Sequence, residues 1–238
     1  MENLKGVKDA ASELDYNVLI VNEKKNYDIE KVLSGIEAQL GRILKKINNS
    51  NFNLTSEEWE HLLTYAATFF CNSPNSRDKI LRFNTQILNH LSEIKSESRN
   101  KVHVDRKIFE EFDTSKDNLI YKGISQIVPT YQLLSKMFWS FYVLKDESVY
   151  ITSDIPIIPL GKDQNLNFNL GFEYSCLAQF PLTKKICLVG NWLGPDSNKE
   201  CTGFYANAVN GLVLKWSFKY VFSPLGFEEL ESQFKKFG

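Results

Sequence analysis

The sequence predicts an α+β fold, in which N-terminal antiparallel helices pack on a small, mostly antiparallel sheet and C-terminal helices follow. Apolar residues recur at helical spacing through the first half of the chain, and short extended segments separated by turns follow it. Helical spacing then returns near the C-terminus. Because the strands are grouped along the chain and do not alternate with helices, an α+β arrangement is favoured over a parallel sheet. We expect one domain over residues 1–238, with a helical layer at about 27–137, a sheet region at about 138–190 and C-terminal helices at about 202–236.

The three N-terminal helices are predicted from apolar stripes and from one capping motif. Residues 29–47 form the first stripe, and Thr55 and Glu58 match a capping box that opens a second helix over residues 59–70. A third apolar face runs through residues 80–94 after a polar break. The connections are short, so we expect these helices to pack as antiparallel neighbours.

The remaining elements follow from turn signals and from the changing spacing of apolar residues. Asp105 and Asp117 are placed to start short helices, and Pro129 is expected to interrupt the second one until it resumes at Tyr131. We predict a turn that joins strands 138–144 and 149–152, and a hairpin across Thr183 and Lys184. The predicted extended segments are 138–144, 149–152, 155–160, 165–169, 178–182 and 185–189, and the predicted C-terminal helices are 202–220 and 227–236.

Composition limits the classes of protein that the chain can belong to. Its 238 residues are 43% hydrophobic and 24% charged, which is typical of globular proteins, and its net charge is −1. A near-neutral chain lacks the basic excess of general nucleic-acid binders, so nucleic acid is an unfavoured partner. The four cysteines form no Cys-x-x-Cys pair, and no segment has the pattern of a signal peptide or a membrane span. We therefore expect a soluble cytoplasmic protein with no membrane partner, and the preference for Lys and Asn over Arg and Ala favours a bacterial source.

The segment Tyr150–Ile157 is the sharpest candidate for a functional site. An extended stretch enters Thr152, Ser153 and Asp154 and is then stopped by Pro156. Asp154 at the end of a strand could act as a general base or a metal ligand, with Ser153 or Thr152 beside it. The alternative is structural, because Ser and Asp side chains also bond backbone amides at turns. The sequence leaves both interpretations open.

The other common catalytic patterns are incomplete in this sequence. None of the three histidines, His61, His90 and His103, has a spacing that connects it with Ser153, so no Ser-His-Asp triad is predicted. His90 is expected to be partly buried on the inward edge of its helix. Glu58-x-x-His61 occurs once, whereas a di-iron bundle needs two such motifs. We therefore predict no particular metal ligand set from the residues alone.

Several segments in order resemble a bacterial family known as domain of unknown function 4238. The octapeptide YITSDIPI at residues 150–157 resembles that family's FxTSDNPV motif, also described as the TSDNP motif. Further similar segments lie at residues 28–47, 54–77, 180–182 and 205–221. The resemblance implies that six residues fall on recurrent family positions, namely Glu37, Thr152, Ser153, Asp154, Pro156 and Asn210.

Two departures from that family bear on activity. Its members open with an HYVPxFYLxxF segment that this chain lacks, and Phe69 and Asn72 stand where the family has Gln and Arg. If the family is catalytic through that His and Arg, the resemblance implies an inactive or truncated member; the family supplies no settled activity to carry over.

These observations leave open whether the protein is an enzyme. They permit a structural partner subunit with an aromatic-rich surface near residues 138–142 or Trp192, and they lead to two more specific functional hypotheses. The first is a non-catalytic binding or regulatory module that engages another protein or a small ligand. The second is a metal-dependent hydrolase or nuclease-like effector of a bacterial defence or toxin system, in which Asp154, Ser153 and Glu37 act with a divalent metal ion. If the protein is an enzyme, we expect Asp154 to share a pocket with Glu37 and a further carboxylate or histidine.

Overall fold

The computed structural model describes residues 16–21, 23–97, 106–161, 172 and 175–234. The helices are α1 (Asp28–Asn48), α2 (Ser56–Cys71), α3 (Pro74–Glu97), α4 (Arg106–Glu111), α5 (Lys116–Ser125), α6 (Ile127–Leu134), α7 (Gly203–Trp216) and α8 (Phe227–Phe234). The strands are β1 (Leu19–Val21), β2 (Lys24–Asn26), β3 (Phe138–Leu144), β4 (Thr152–Ser153), β5 (Ile158–Leu160), β6 (Leu177–Pro181), β7 (Ile186–Asn191), β8 (Lys199–Cys201) and β9 (Val221–Phe222).

The central sheet has five strands in the order β5-β6-β7-β3-β8. All neighbouring strands are antiparallel except β3 and β8, which run parallel. Two small antiparallel pairs, β1 with β2 and β4 with β9, lie outside this sheet. The predicted α+β class with a mostly antiparallel sheet is confirmed.

Helices cover both faces of the central sheet. On one face Phe141 and Leu188 pack with Ile47 of α1 and Leu62 of α2, and all four are nearly inaccessible to solvent. On the other face the alternate residues of the same strands pack against α7, as Val189 does in a cluster with Val209 and Val213. Because both faces are covered, β7 is buried over most of its length and shows no alternation of polar and apolar residues.

The predicted capping box is present at the start of α2. The Thr55 side chain accepts a hydrogen bond from the Glu58 amide at 3.2 Å, and the Glu58 carboxylate accepts one from the Thr55 amide at 2.7 Å. Lys46 Nζ lies 2.6 Å from the same carboxylate, which joins the end of α1 to the start of α2. These contacts lower the pKa of Glu58, chiefly through the hydrogen bond from Lys46.

Two predictions about the helical layer are wrong: the resumption of a helix at Tyr131 after Pro129, and the partial burial of His90. Helix α6 already begins at Ile127, because Pro129 lies in its first turn, where backbone N–H groups have no partner within the helix. The apolar face of α3 is only partly covered: Phe83 is 55% and Ile94 is 50% exposed. His90 on the same helix is exposed as well and contacts Glu93, so it is not a partly buried histidine.

The predicted strand at residues 149–152 is also wrong in its extent and its pairing. Only Thr152 and Ser153 form a strand, and they pair with Phe222 and Val221 of β9. Strand β3 instead lies between β7 and β8. The preceding backbone binds the Asn210 side chain, which accepts from the Ile151 amide at 2.9 Å and donates to the Val149 carbonyl at 2.8 Å.

The remaining differences lie in short elements and in the C-terminal helices. Helix α7 ends at Trp216 and not at residue 220, since Ser217 takes an extended conformation. The strands β1, β2, β8 and β9 were not predicted, whereas the hairpin between β6 and β7 across Thr183 and Lys184 is confirmed. The predicted extended segment 165–169 lies outside the described residues. Among the helices that the structure describes, none has the length and apolar content to cross a membrane.

Candidate functional site

Three of the predicted site residues line one cavity of about 210 Å³, which we call the Glu37 cavity. It lies between α1, α2, the turn that joins α2 to α3, and the residues Ser153 and Asp154. We call residues Thr152–Asp154 the Thr-Ser-Asp turn. The lining residues are Tyr16, Asn17, Leu33, Ile36, Glu37, Tyr65, Thr68, Phe69, Asn72, Ser73, Pro74, Ser153, Asp154 and Phe222.

Ser153 is fixed by its own turn. Its hydroxyl donates to the Ile155 carbonyl at 3.0 Å and accepts from the Ile155 amide at 3.1 Å. The residue is 4% exposed. A hydroxyl held in two local hydrogen bonds stabilises the turn that carries Asp154, as Ser side chains commonly do in loops.

Asp154 binds the backbone of residues 218–220, the segment that follows α7. Its two carboxylate oxygens accept hydrogen bonds from the backbone amides of Phe218 at 3.0 Å, Lys219 at 2.8 Å and Tyr220 at 3.2 Å. Its own amide donates to the Tyr220 carbonyl at 3.1 Å. These contacts are the ones that the structural interpretation of the Thr-Ser-Asp turn requires, and they also explain why the chain leaves the helical path after Trp216.

Glu37 supplies a carboxylate to the cavity from α1, where the apolar stripe continues through Leu33 and Ile36. Partial burial, and secondarily the negative charge of Glu30, raise the pKa of Glu37. The pKa of the Tyr65 phenol on α2 is raised as well. Burial is the main cause, and the negative charge of the Glu37 carboxylate adds to it. Glu37 therefore gives this wall of the cavity a negative charge, and the residue is itself exposed to solvent.

Aromatic rings form much of the apolar lining. Tyr65 packs on Phe69 with 4.4 Å between the ring centroids and on Phe180 of the sheet with 6.1 Å. Sequence reasoning did not identify Tyr65 as a site residue. Its place in the helical stripe of α2 is typical of a core aromatic, and the sequence gives no sign of its approach to Glu37.

Arg77 does not line the cavity but binds three residues that do, Tyr16, Asn17 and Asn72. Its guanidinium lies 3.6 Å from the centroid of the Tyr16 ring and donates to the Tyr16 carbonyl at 2.7 Å. It also donates to the side chains of Asn17 and Asn72, the latter at 2.6 Å. Arg77 is buried, and sequence reasoning missed it, because a single arginine near the start of a helix is usually exposed.

A family model described as a protein of unknown function, DUF4238, matches residues 2–224. The chain belongs to this family. The predicted family is thereby confirmed, whereas the motif assignments and the missing opening segment stay predictions. No curated protein and no solved structure matches the chain.

The other motif positions of this DUF4238 member, Thr152, Pro156 and Asn210, are not among the residues that line the cavity. Asn210 is 1% exposed and serves the backbone of residues 149–151, as described above. Pro156 is buried between the Thr-Ser-Asp turn and β5. The Thr152 hydroxyl is buried and has no hydrogen-bond partner among the described residues; Thr152 lines a separate cleft beside the β6–β7 turn.

The metal-dependent hypothesis needs ligands that converge. In the part of the chain that the structure describes, no group of three or more His, Cys, Asp or Glu side chains is placed to hold a metal ion. His61 lies 3.6 Å from Glu57, and His90 lies 3.2 Å from Glu93, each on its own helix. His103 lies outside the described residues. A divalent cation in this DUF4238 member therefore stays a prediction.

Proposed function

We propose that the protein is a non-catalytic binding module and that the Glu37 cavity takes a small organic cation. The observation that carries the proposal is the joining of the Glu37 carboxylate with the rings of Tyr65 and Phe69 in one apolar cavity. A carboxylate and aromatic faces together suit an ammonium group, which is attracted to both.

The charges around the cavity support a cation over an anion. Among the described residues that line it, the charged ones are Glu37 and Asp154. Arg77 lies behind the wall, and its guanidinium is already bound to Tyr16, Asn17 and Asn72. An anionic ligand would meet two carboxylates, whereas an ammonium group would relieve the repulsion between Glu37 and Glu30 that contributes to the raised pKa of Glu37.

The volume of the cavity limits the ligand to a small molecule. A cavity of 210 Å³ is smaller than the sites of drug-sized ligands, which measure roughly 300–1,000 Å³. A single aromatic or branched aliphatic amine matches this size. The ligand contact falls to Glu37, because both oxygens of Asp154 are already engaged by backbone amides.

Calorimetric titration with benzylammonium tests the proposal, and benzyl alcohol of nearly the same shape serves as the uncharged control. We expect benzylammonium to bind the wild-type protein and benzyl alcohol to bind about fivefold more weakly or not at all, since an ion pair with an exposed carboxylate contributes up to about 1 kcal/mol. Glu37→Gln should lose the preference for the amine. Glu60→Gln, an exposed change on α2 outside the cavity, should keep it. Equal affinity for amine and alcohol in the wild-type protein would contradict the proposal.

A metal-dependent hydrolase or nuclease-like effector of a defence or toxin system is the second candidate. It is favoured by one observation, which is that Asp154 and Glu37 line the same cavity. Titration of the wild-type protein, Glu37→Gln and Asp154→Ala with Mg²⁺ and Mn²⁺ tests it. Metal binding to the wild-type protein that Glu37→Gln loses would support this candidate, with Asp154→Ala informative only where its fold is retained. Failure of the wild-type protein to bind either ion would remove its chemistry.

A further inference from the structure

A second and larger concavity lies beside the first half of α3, and we call it the α3 groove. Its volume is about 1010 Å³, and its walls come from α3, from α6 with the end of α5, and from the end of α7. Within the described part of the chain, it shares no lining residue with the Glu37 cavity. A groove of this size accommodates a ligand much larger than a simple amine.

Among the lining residues that the structure describes, the charged side chains carry a net positive charge. They are Asp78, Lys79 and Arg82, all on α3. Arg82 Nε lies 2.8 Å from the Asp78 carboxylate, so this pair is close to neutral as a unit. Lys79 adds a further positive charge. Its side chain is partly buried, and desolvation lowers its pKa, so an anionic group beside it would gain from the weak screening there.

Aromatic rings face the same groove from two walls. Phe83 of α3 is 55% exposed, and Phe218 beyond α7 is 47% exposed. The Lys79 ammonium lies 5.9 Å from the centroid of the Trp216 ring, which places the positive charge next to the aromatic wall. Exposed phenylalanine rings inside a concave surface would be stabilised by a flat apolar partner that stacks on them.

We propose that the α3 groove binds an aromatic anion of mononucleotide size. In this arrangement Lys79 contacts the anionic group, and Phe83 or Phe218 stacks on the ring. The side-chain amides of Gln86 and Gln126, which also line the groove, offer donors and acceptors for the edge of a heterocycle. The proposal does not rest on the function proposed for the Glu37 cavity, since the two concavities call for ligands of opposite charge.

Titration with adenosine 5′-monophosphate tests the inference, with adenosine as the uncharged control and inorganic phosphate as the control without a ring. Amide chemical shifts in a ¹H–¹⁵N spectrum report the location of binding. We expect the monophosphate to bind at least about tenfold more tightly than either control, because each control lacks one of the two interactions. We also expect the largest shifts at Lys79, Phe83 and Phe218.

Variants of two residues separate the charge from the stacking. Lys79→Gln should weaken the monophosphate about tenfold and leave adenosine unchanged, Lys79→Arg should restore most of the affinity, and Lys136→Gln at an exposed site outside the groove should change nothing. Phe218→Ala, at an exposed ring, should weaken monophosphate and adenosine alike. The inference is overturned if the wild-type protein binds monophosphate and adenosine equally, if Lys79→Gln leaves the monophosphate affinity intact, or if the shifts lie outside the groove.

Discussion

Replacing Asp154 with alanine removes the acceptor of three backbone hydrogen bonds at once. Hydrogen bonds to charged groups contribute about 1.5–3 kcal/mol when they are shielded from water. The amides of Phe218 and Lys219 are exposed, so water can replace the carboxylate there and we count each at about 0.5 kcal/mol. The partly buried amide of Tyr220 is counted at about 1.5 kcal/mol. We therefore expect Asp154→Ala to lower the free energy of unfolding by about 2–3 kcal/mol.

Urea denaturation of the wild-type protein and the variant measures this loss, and hydrogen exchange locates it. A chain of this length should lose about 5–10 °C in Tm, and the amides of residues 218–220 should exchange faster. Asp154→Asn should show a smaller loss, since its amide oxygen still accepts, and Glu60→Ala should show none. If Asp154→Ala changes the free energy of unfolding by less than about 0.5 kcal/mol and leaves the exchange of residues 218–220 unaltered, Asp154 does not have the structural role deduced from its contacts.

Three further predictions concern single side chains. Asn210→Ala should lower the free energy of unfolding by about 2–4 kcal/mol in urea denaturation, because it leaves the Ile151 amide and the Val149 carbonyl buried without partners; an unchanged midpoint would contradict this. Thr55→Ala should cost about 1 kcal/mol through loss of the α2 cap, and Thr55→Ser should cost much less. Since the pKa of Glu37 is raised in the folded state, its contribution to stability is present below the unfolded pKa and is lost as pH rises through the folded value. A pH series of denaturation midpoints should show Glu37→Gln more stable than wild type at neutral pH, with the difference vanishing in acid.

The elements that the sequence predicted well are those whose local signals agree with their burial. The capping box at Thr55 and Glu58 fixes the start of α2 without help from the rest of the chain, and the apolar run at residues 138–144 matches β3 residue for residue. Local signals failed where a distant side chain decides the backbone. Residues 149–151 are apolar and extended, yet they bind the side chain of Asn210, about sixty positions later, and do not join a sheet.

The candidate site was also predictable only in part, because local signals identify some of its residues and tertiary contacts bring in the others. The Thr-Ser-Asp segment is visible as a strand end before a proline, and resemblance to the family added Glu37. Neither signal reveals that Tyr65 shares its surroundings with Glu37 or that Arg77 holds the opposite wall, because those contacts join helices through the tertiary fold. For an enzyme we expect Asp154, Glu37 and a further carboxylate or histidine in one pocket. Asp154 and Glu37 do line one cavity, and among the described residues that line it there is no further carboxylate or histidine.

Asp154 links the two concavities, which determines how variants of the site must be interpreted. Its side chain lines the Glu37 cavity, while its hydrogen bond to the Phe218 amide holds a residue that forms a wall of the α3 groove. A ligand that bound Asp154 in place of those amides would break three hydrogen bonds. Binding of a cation by Glu37 breaks none of them and is therefore favoured in free energy. It follows that Asp154→Ala should disturb both sites, whereas Glu37→Gln should affect only amine binding. Loss of binding at both sites in Asp154→Ala is therefore no evidence for catalysis, and Glu37→Gln is the variant that tests the chemistry of the cavity.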